Sequence, residues 1–250
     1  MGRIKVIAAL LAGCLACSFG SVVFATNISV PQYSASYTVR RNGLPIGVAD
    51  ITLDRKPDGG YSYRSKIHPT GLAALFFGDV VIETSNFKLM DGQPRSLRYR
   101  YTHSGGHHDK SEEITFDWAS HSAESVSDGR KKRLKITDDT YDRALAQLAI
   151  SLDMAAGKLA DTYHVLDHGK INSYKPQLEG KQSLQISIGL YQVIKVARKD
   201  ARKKRTTTFW LAPKLDYLPV KIEQTEPGKA TVSLQLTKIQ IKSANGGKSH

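Results

Sequence analysis

The chain has very little cysteine, and what it has sits in the wrong place to matter. Cys14 and Cys17 are its only two, both within an N-terminal segment with the pattern of an export signal. Arg3 and Lys5 form a positive start, Val6 to Leu15 is unbroken small and apolar, and Val23-Phe24-Ala25 offers a small residue for cleavage before Thr26. Cleavage after Ala25 leaves a mature chain without thiols. That excludes disulfides, thiol chemistry and cysteine-ligated zinc. A competing reading takes Leu11-Ala12-Gly13-Cys14 as a lipoprotein signal with Cys14 acylated; against it, Leu15 to Phe24 stays apolar where such proteins turn polar.

Long apolar runs are missing after the signal, so no later stretch can span a bilayer as a helix. Acidic residues are also scarce: 23 Asp and Glu face 36 Lys and Arg, for a net charge of +13. Loss of Arg3 and Lys5 lowers this to +11. A basic exported protein suits anionic partners such as lipid headgroups or lipopolysaccharide phosphate, and export argues against nucleic acid. The expected location is the periplasm, with membrane contact peripheral at most.

Strand patterns dominate what is present. Tyr33, Ala35, Tyr37 and Val39 alternate with polar neighbours, as do Ala49, Ile51 and Leu53, then Tyr61, Tyr63, Ser65 and Ile67. Leu97, Tyr99, Tyr101 and His103 form a further two-faced strand, and Ile114, Phe116 and Trp118 the next. Asn42-Gly43 opens a turn that Leu44-Pro45-Ile46-Gly47 extends beyond a two-residue hairpin. A dozen or so short strands with turn signals at regular spacing predict an antiparallel sheet without βαβ units. So many strands do not stay flat, so the expectation is a single strongly curved sheet, half-barrel or barrel-like, with a sandwich as second choice. Residues 26–242 form one mainly β domain in this reading, and 243–250 a disordered polar tail.

One segment reads as a long helix, Asp139 to Gly157. Asp139 is the expected N-cap, Leu145, Leu148, Ala149, Leu152 and Ala156 line one face, and Gly157 ends it. Arg143, Gln147, Ser151 and Asp153 fall elsewhere on the wheel. If Leu145, Leu148 and Leu152 fill the concave face, the helix is core; if they leave room, they wall a lipid pocket.

The chemistry-bearing residues are sparse. His103, His107, His108 and Asp109 cluster in a glycine-rich loop without the spacing that preorganises a metal site, so no metal or other cofactor is expected. No Gly-x-Ser-x-Gly elbow occurs. Glu112 and Glu113 are adjacent and face opposite sides of a strand. A non-enzymatic protein is therefore expected, and converging histidine and carboxylate groups in a deep cleft would reopen the enzymatic reading. Arg130 to Arg133 and the run from Lys195 to Arg205 read as charged tips that blunt sheet edges. The sharper reading of the second run, through Arg198, Lys199, Arg202, Lys203, Lys204 and Arg205, is contact with anionic lipid or phosphate. Leu72, Leu75, Phe76 and Phe77 interrupt the strand rhythm as an apolar patch for an acyl chain or a protein partner.

Three segments carry a family resemblance: Tyr37 to Gly47 (YTVRRNGLPIG), Pro69 to Gly78 (PTGLAALFFG), and Phe209-Trp-Leu-Ala-Pro with Tyr217 to Glu223. Together they resemble the exported proteobacterial proteins grouped as domain of unknown function 3108. The resemblance implies a periplasmic or envelope location and an all-β domain, and it supplies no catalytic residues. A looser similarity, of architecture alone, is to the half-barrel lipoprotein carriers of the periplasm. The function expected is binding of a hydrophobic or amphiphilic envelope component (lipid, lipopolysaccharide or lipoprotein), with an assembly factor docking a protein through the Leu72–Phe77 loop as the alternative.

Overall fold

A computed structural model describes residues 30–72, 74, 78–105, 109–200 and 204–242. The signal segment with Cys14 and Ala25, the patch residues Leu75, Phe76 and Phe77, the loop histidines His107 and His108, the run residues Arg202 and Lys203, and the tail 243–250 lie outside the described residues.

The first half of the chain forms β1 (Gln32–Arg41), β2 (Leu44–Arg55), β3 (Tyr61–Pro69), β4 (Val80–Met90), β5 (Gln93–Ser104), β6 (Lys110–Asp117), β7 (Ser122–Ser127) and β8 (Arg130–Lys135). A short β9 (Thr140–Asp142) leads into α1 (Arg143–Ala155). Then come β10 (Tyr163–Asp167), β11 (Lys170–Tyr174), β12 (Pro176–Ile186), β13 (Gly189–Asp200), β14 (Arg205–Ala212), β15 (Leu218–Thr225) and β16 (Val232–Lys242).

Thirteen of these strands make one antiparallel sheet in the order β12-β13-β14-β15-β16-β1-β2-β3-β4-β5-β6-β7-β8. The sheet is open, with β12 and β8 at its edges. Both halves of the chain are meanders, and the pairing of β16 with β1 joins them. On β8 the residues Arg130 to Arg133 are exposed, a row of like charges that opposes edge-to-edge association.

The alternating patterns land as period two requires. Tyr33, Ala35, Tyr37 and Val39 are buried on β1, and Glu112, Ile114 and Phe116 on β6. Two local expectations are corrected. Arg41 pairs with Leu44, so Asn42-Gly43 is a two-residue loop with both residues left-handed (φ 48° and 82°). Pro45, which cannot donate to the ladder, is absorbed by a bulge at Val39/Arg40. On β5, Asn86 pairs with Arg98 and Phe87 with Ser96, which leaves Leu97 as the extra residue of a bulge. Leu97 thereby leaves the inward row and Ser96 joins it.

A second, three-stranded sheet runs β11-β10-β9. Its β9–β10 pair is parallel and α1 connects the two strands, so the chain does contain one βαβ unit among its antiparallel meanders. The helix begins at Arg143, not near Asp139, because the residues just before it are drawn into β9 and Asp142 becomes the cap. It ends as predicted: Gly157 is left-handed (φ 72°), its N–H donates to the Met154 carbonyl, and the Lys158 N–H donates to Asp153.

The helix touches β4 and β5 on one side and β9 and β10 on the other. Ala146, Ile150 and Ser151 are buried along with Leu145, Leu148 and Leu152, so burial runs nearly all round it. Asp142 locks it to the large sheet. Its carboxylate accepts from Ser85 Oγ (2.5 Å), from Ser96 Oγ (2.7 Å) and from the Leu145 N–H (2.8 Å). The Asp142 N–H in turn donates to Ser96 Oγ at 3.1 Å. Every group in this cluster is buried and partnered, and the bulge at Leu97 is what brings Ser96 to it. Among the described residues no helix is long and apolar enough to cross a membrane.

Candidate functional site

Cross-strand registers build two facing rows of side chains. One runs Ile51, Ser65, Glu83 and Tyr101 across β2 to β5, each paired with the next. The other runs Arg198, Thr207, Gln224 and Val232 across β13 to β16. All eight line a single cavity of about 760 Å³. Arg143 and Gln147 from α1 and Val165, Asp167, His168, Lys170, Asn172 and Tyr174 from the small sheet and its hairpin add to its wall. Ile67, Val81, Ile222 and Leu234 supply further apolar surface.

The cations of this cavity are not equivalent. Arg143 Nε donates to Glu83 Oε1 at 2.7 Å, a second guanidinium N–H reaches the same oxygen, and Nη1 lies 3.6 Å from Asp167 Oδ1. Tyr99 Oη also donates to Glu83 Oε1 at 2.7 Å, and Arg143 sits 4.5 Å over the Tyr101 ring. Burial alone would weaken the hold of Arg143 on its proton, but the adjacent Glu83 carboxylate outweighs it and keeps the group charged. Arg143 and Glu83 are therefore a finished structural pair. Arg205 has Asp200 at 3.7 Å.

Arg198 differs. Its guanidinium lies 4.4 Å from the Tyr174 ring centre, and among the described residues no carboxylate is within ion-pair distance of it. Burial pushes its pKa below the usual arginine range; Tyr174 and, more weakly, the Asp167 carboxylate oppose this, and the Arg205 and Arg143 charges add to it. An arginine stays protonated under such pressure, so the unmet requirement is for an anion.

The sequence-predicted site residues fall into three groups. Arg198 and Arg205, expected on an outer charged tip, line the cavity, while Lys199 and Lys204 are exposed as the run predicts. Leu145, Leu148 and Leu152 are buried in the core; the last two border a void of about 30 Å³, and none of the three lines the large cavity. The helix thus presents Arg143 and Gln147 to the cavity and its leucines to the core. Leu72 is 77% exposed, away from both. In the histidine cluster, His103 bonds Asp79 at 2.8 Å. Glu113 faces outward to Arg98 and Arg100 while Glu112 faces inward, as adjacency on a strand demands.

Sequence reasoning missed Glu83, Tyr101, Asp167, His168 and Tyr174 as cavity residues, and the inward carboxylate of Glu112 beside His168. Glu112 did carry a signal, a carboxylate at the inward parity of an otherwise apolar row with Ile114 and Phe116. The cavity meeting of β2–β5 with β13–β16 carried none, because it depends on which distant strands pair.

Among solved structures, the chain is similar to a beta-barrel-like protein of domain of unknown function DUF1849 from Brucella abortus. That match has a TM-score of 0.54 and 10% identity, covering 86% of this chain and 99% of that one. The likeness is one of fold alone. The Pseudomonas aeruginosa MucA/MucB complex matches at a TM-score of 0.18 and 9% identity, over 87% of this chain and 96% of that one, too low to bear on fold or partner. No curated protein matches the chain. Residues 32–235 match the family described as protein of unknown function, DUF3108, and the chain belongs to that family.

Proposed function

We propose that this is a non-enzymatic, exported envelope protein that holds an anionic amphiphile in the cavity, with the head group on Arg198. The observation that carries this reading is a half-buried arginine without a carboxylate partner, set in the wall of a cavity that also presents a group of aliphatic side chains. The volume lies within the roughly 300–1,000 Å³ usual for small-molecule sites. Ile67, Val81, Val165, Ile222, Val232 and Leu234 suit a hydrocarbon chain, and an arginine fork suits a carboxylate or phosphate head. Binding is favoured over catalysis because Glu83, the most enclosed carboxylate on the wall, is already engaged by Arg143 and Tyr99.

The proposal includes shape and place. The meeting of β2–β5 with β13–β16 across one cavity supports a sheet curled as a half-barrel around α1. Export to the periplasm rests on the N-terminal signal pattern. Mass spectrometry of solvent extracts from protein purified out of the envelope tests the reading. One equivalent of an anionic amphiphile is expected; protein that emerges empty and then fails to take up a fluorescent fatty acid below about millimolar, the weak end of specific affinity, overturns it. The alternative, protein docking through the loop beginning at Leu72, retains the 77% exposure of that leucine in its favour. Crosslinking from Phe77 in living cells would trap a protein in that case.

A further inference from the structure

Glu112 is a carboxylate held out of solvent with one oxygen unmet. Its side chain is fully buried on β6, where Oε1 accepts from Ser125 Oγ at 2.9 Å and Oε2 has no hydrogen-bond partner. A buried carboxylate oxygen without a partner costs several kcal/mol unless something positive completes it. That oxygen is aimed at the β10–β11 hairpin. The hairpin closes on His168-Gly169, both left-handed (φ 50° and 63°), the two-residue geometry in which asparagine-glycine is the common choice. A histidine there places Nδ1 3.6 Å from Glu112 Oε2 and 2.9 Å from Asp167 Oδ1.

The geometry points to a divalent transition-metal site formed by Glu112, Asp167 and His168. One atom from each lies within 4.8 Å of the others. Ligands at zinc bond lengths of 2.0–2.2 Å stand roughly 3.3–3.5 Å apart around a tetrahedral ion. The two distances from His168 Nδ1, 2.9 Å and 3.6 Å, bracket that spacing, and the two carboxylates lie within 4.8 Å of each other, so an ion requires them only to draw in around the imidazole. One imidazole and two carboxylates suit zinc, and three protein ligands leave a fourth position for water or an anion. Arg143, 3.6 Å from Asp167, is committed to Glu83 by two N–H bonds. Asp167 and His168 belong to the cavity wall, so a bound ion adds a second anion-attracting centre there besides Arg198. This is distinct from the loop cluster of His103, His107 and His108, which shares no residue with it.

Calorimetric titration of metal-stripped, lipid-free protein with zinc chloride tests the inference independently of any amphiphile. One equivalent is expected to bind. Glu112→Gln and His168→Ala should each weaken it by at least about 100-fold, the upper end of what loss of even an outer-shell partner costs. His107→Ala/His108→Ala should leave it unchanged. No saturable binding, binding that survives Glu112→Gln, or binding lost with the loop histidines would each overturn the site. Should Glu112→Gln fail to fold, the histidine ring ¹⁵N spectrum of the unaltered protein decides. Zinc must move the His168 nitrogens and leave those of His103 and His164 in place, and the reverse pattern refutes the assignment.

Discussion

The guanidinium of Arg198 lies 4.4 Å from the centre of the Tyr174 ring, across the gap between the large sheet and the small one. This contact orients the cation toward the cavity without neutralising it, since a ring face offers a quadrupole and no charge. Arg143, on the same wall, is paired with Glu83 by two N–H bonds. Two arginines of one cavity thus have opposite roles, and the difference can be measured.

Arg198→Met should leave folding stability unchanged or slightly raised, because it removes a half-buried charge that has no carboxylate partner and keeps most of the apolar stem. Arg143→Met should destabilise the protein by about 3–5 kcal/mol, the cost of leaving a partly buried partner charge, here Glu83, uncompensated. Urea denaturation of both variants checks the pair. Equal losses would contradict the division of roles.

Asp142 makes stability depend on pH in an unusual direction. Burial pushes its pKa up to about 6, against the lowering effect of its bonds from Ser85, Leu145 and Ser96. The folded state therefore holds a proton more tightly than the unfolded chain does. This contribution is fully present below about pH 4 and is lost as pH rises through about 6, amounting to about 3 kcal/mol for a shift of about two units. Asp142→Asn keeps the cap acceptor and cannot titrate. Subtracting its stability curve from that of the natural protein should give a difference that falls between pH 4 and 7; a flat difference would refute the assignment.

Leu145 is completely buried and faces away from the large cavity. Leu145→Ala should cost about 2–5 kcal/mol, as for other large-to-small changes in a packed core. Calorimetric melting will show it. If the leucine face instead walls a ligand site, the same substitution will weaken amphiphile binding with little effect on the melting temperature.

The strands were legible in the sequence wherever one face is apolar, as with Tyr33, Ala35, Tyr37 and Val39, because a sheet side chain reverses face at every step. Leu97 shows where that logic stops. A bulge has no signature in hydrophobic alternation, and this one exchanges Leu97 for Ser96 to complete the cluster at Asp142. The helix start was misplaced for a related reason: a parallel pairing with β10 recruits Thr140 to Asp142 as strand, and no local preference reports that. Arg198 and Arg205 read as solvated surface because they belong to a basic run, yet alternate residues of a strand face opposite ways, and these two fall on the inner side. Their role emerges only when β13 and β14 are set opposite Tyr174 by the fold. His168, in a turn, and Glu112, in an apolar row, lie far apart in sequence and meet only across two sheets.

The central claim is that Arg198 receives the anionic head of an amphiphile. Its most direct test is titration of delipidated protein, natural and Arg198→Met, with a fluorescent fatty acid. The account predicts saturation at one equivalent for the natural protein, weakened by added salt. It predicts at least about tenfold weaker binding for the variant, the roughly 1.4 kcal/mol equivalent of losing one charge-assisted contact. Overlapping curves for the two proteins, or no saturation below about millimolar for either, would contradict it.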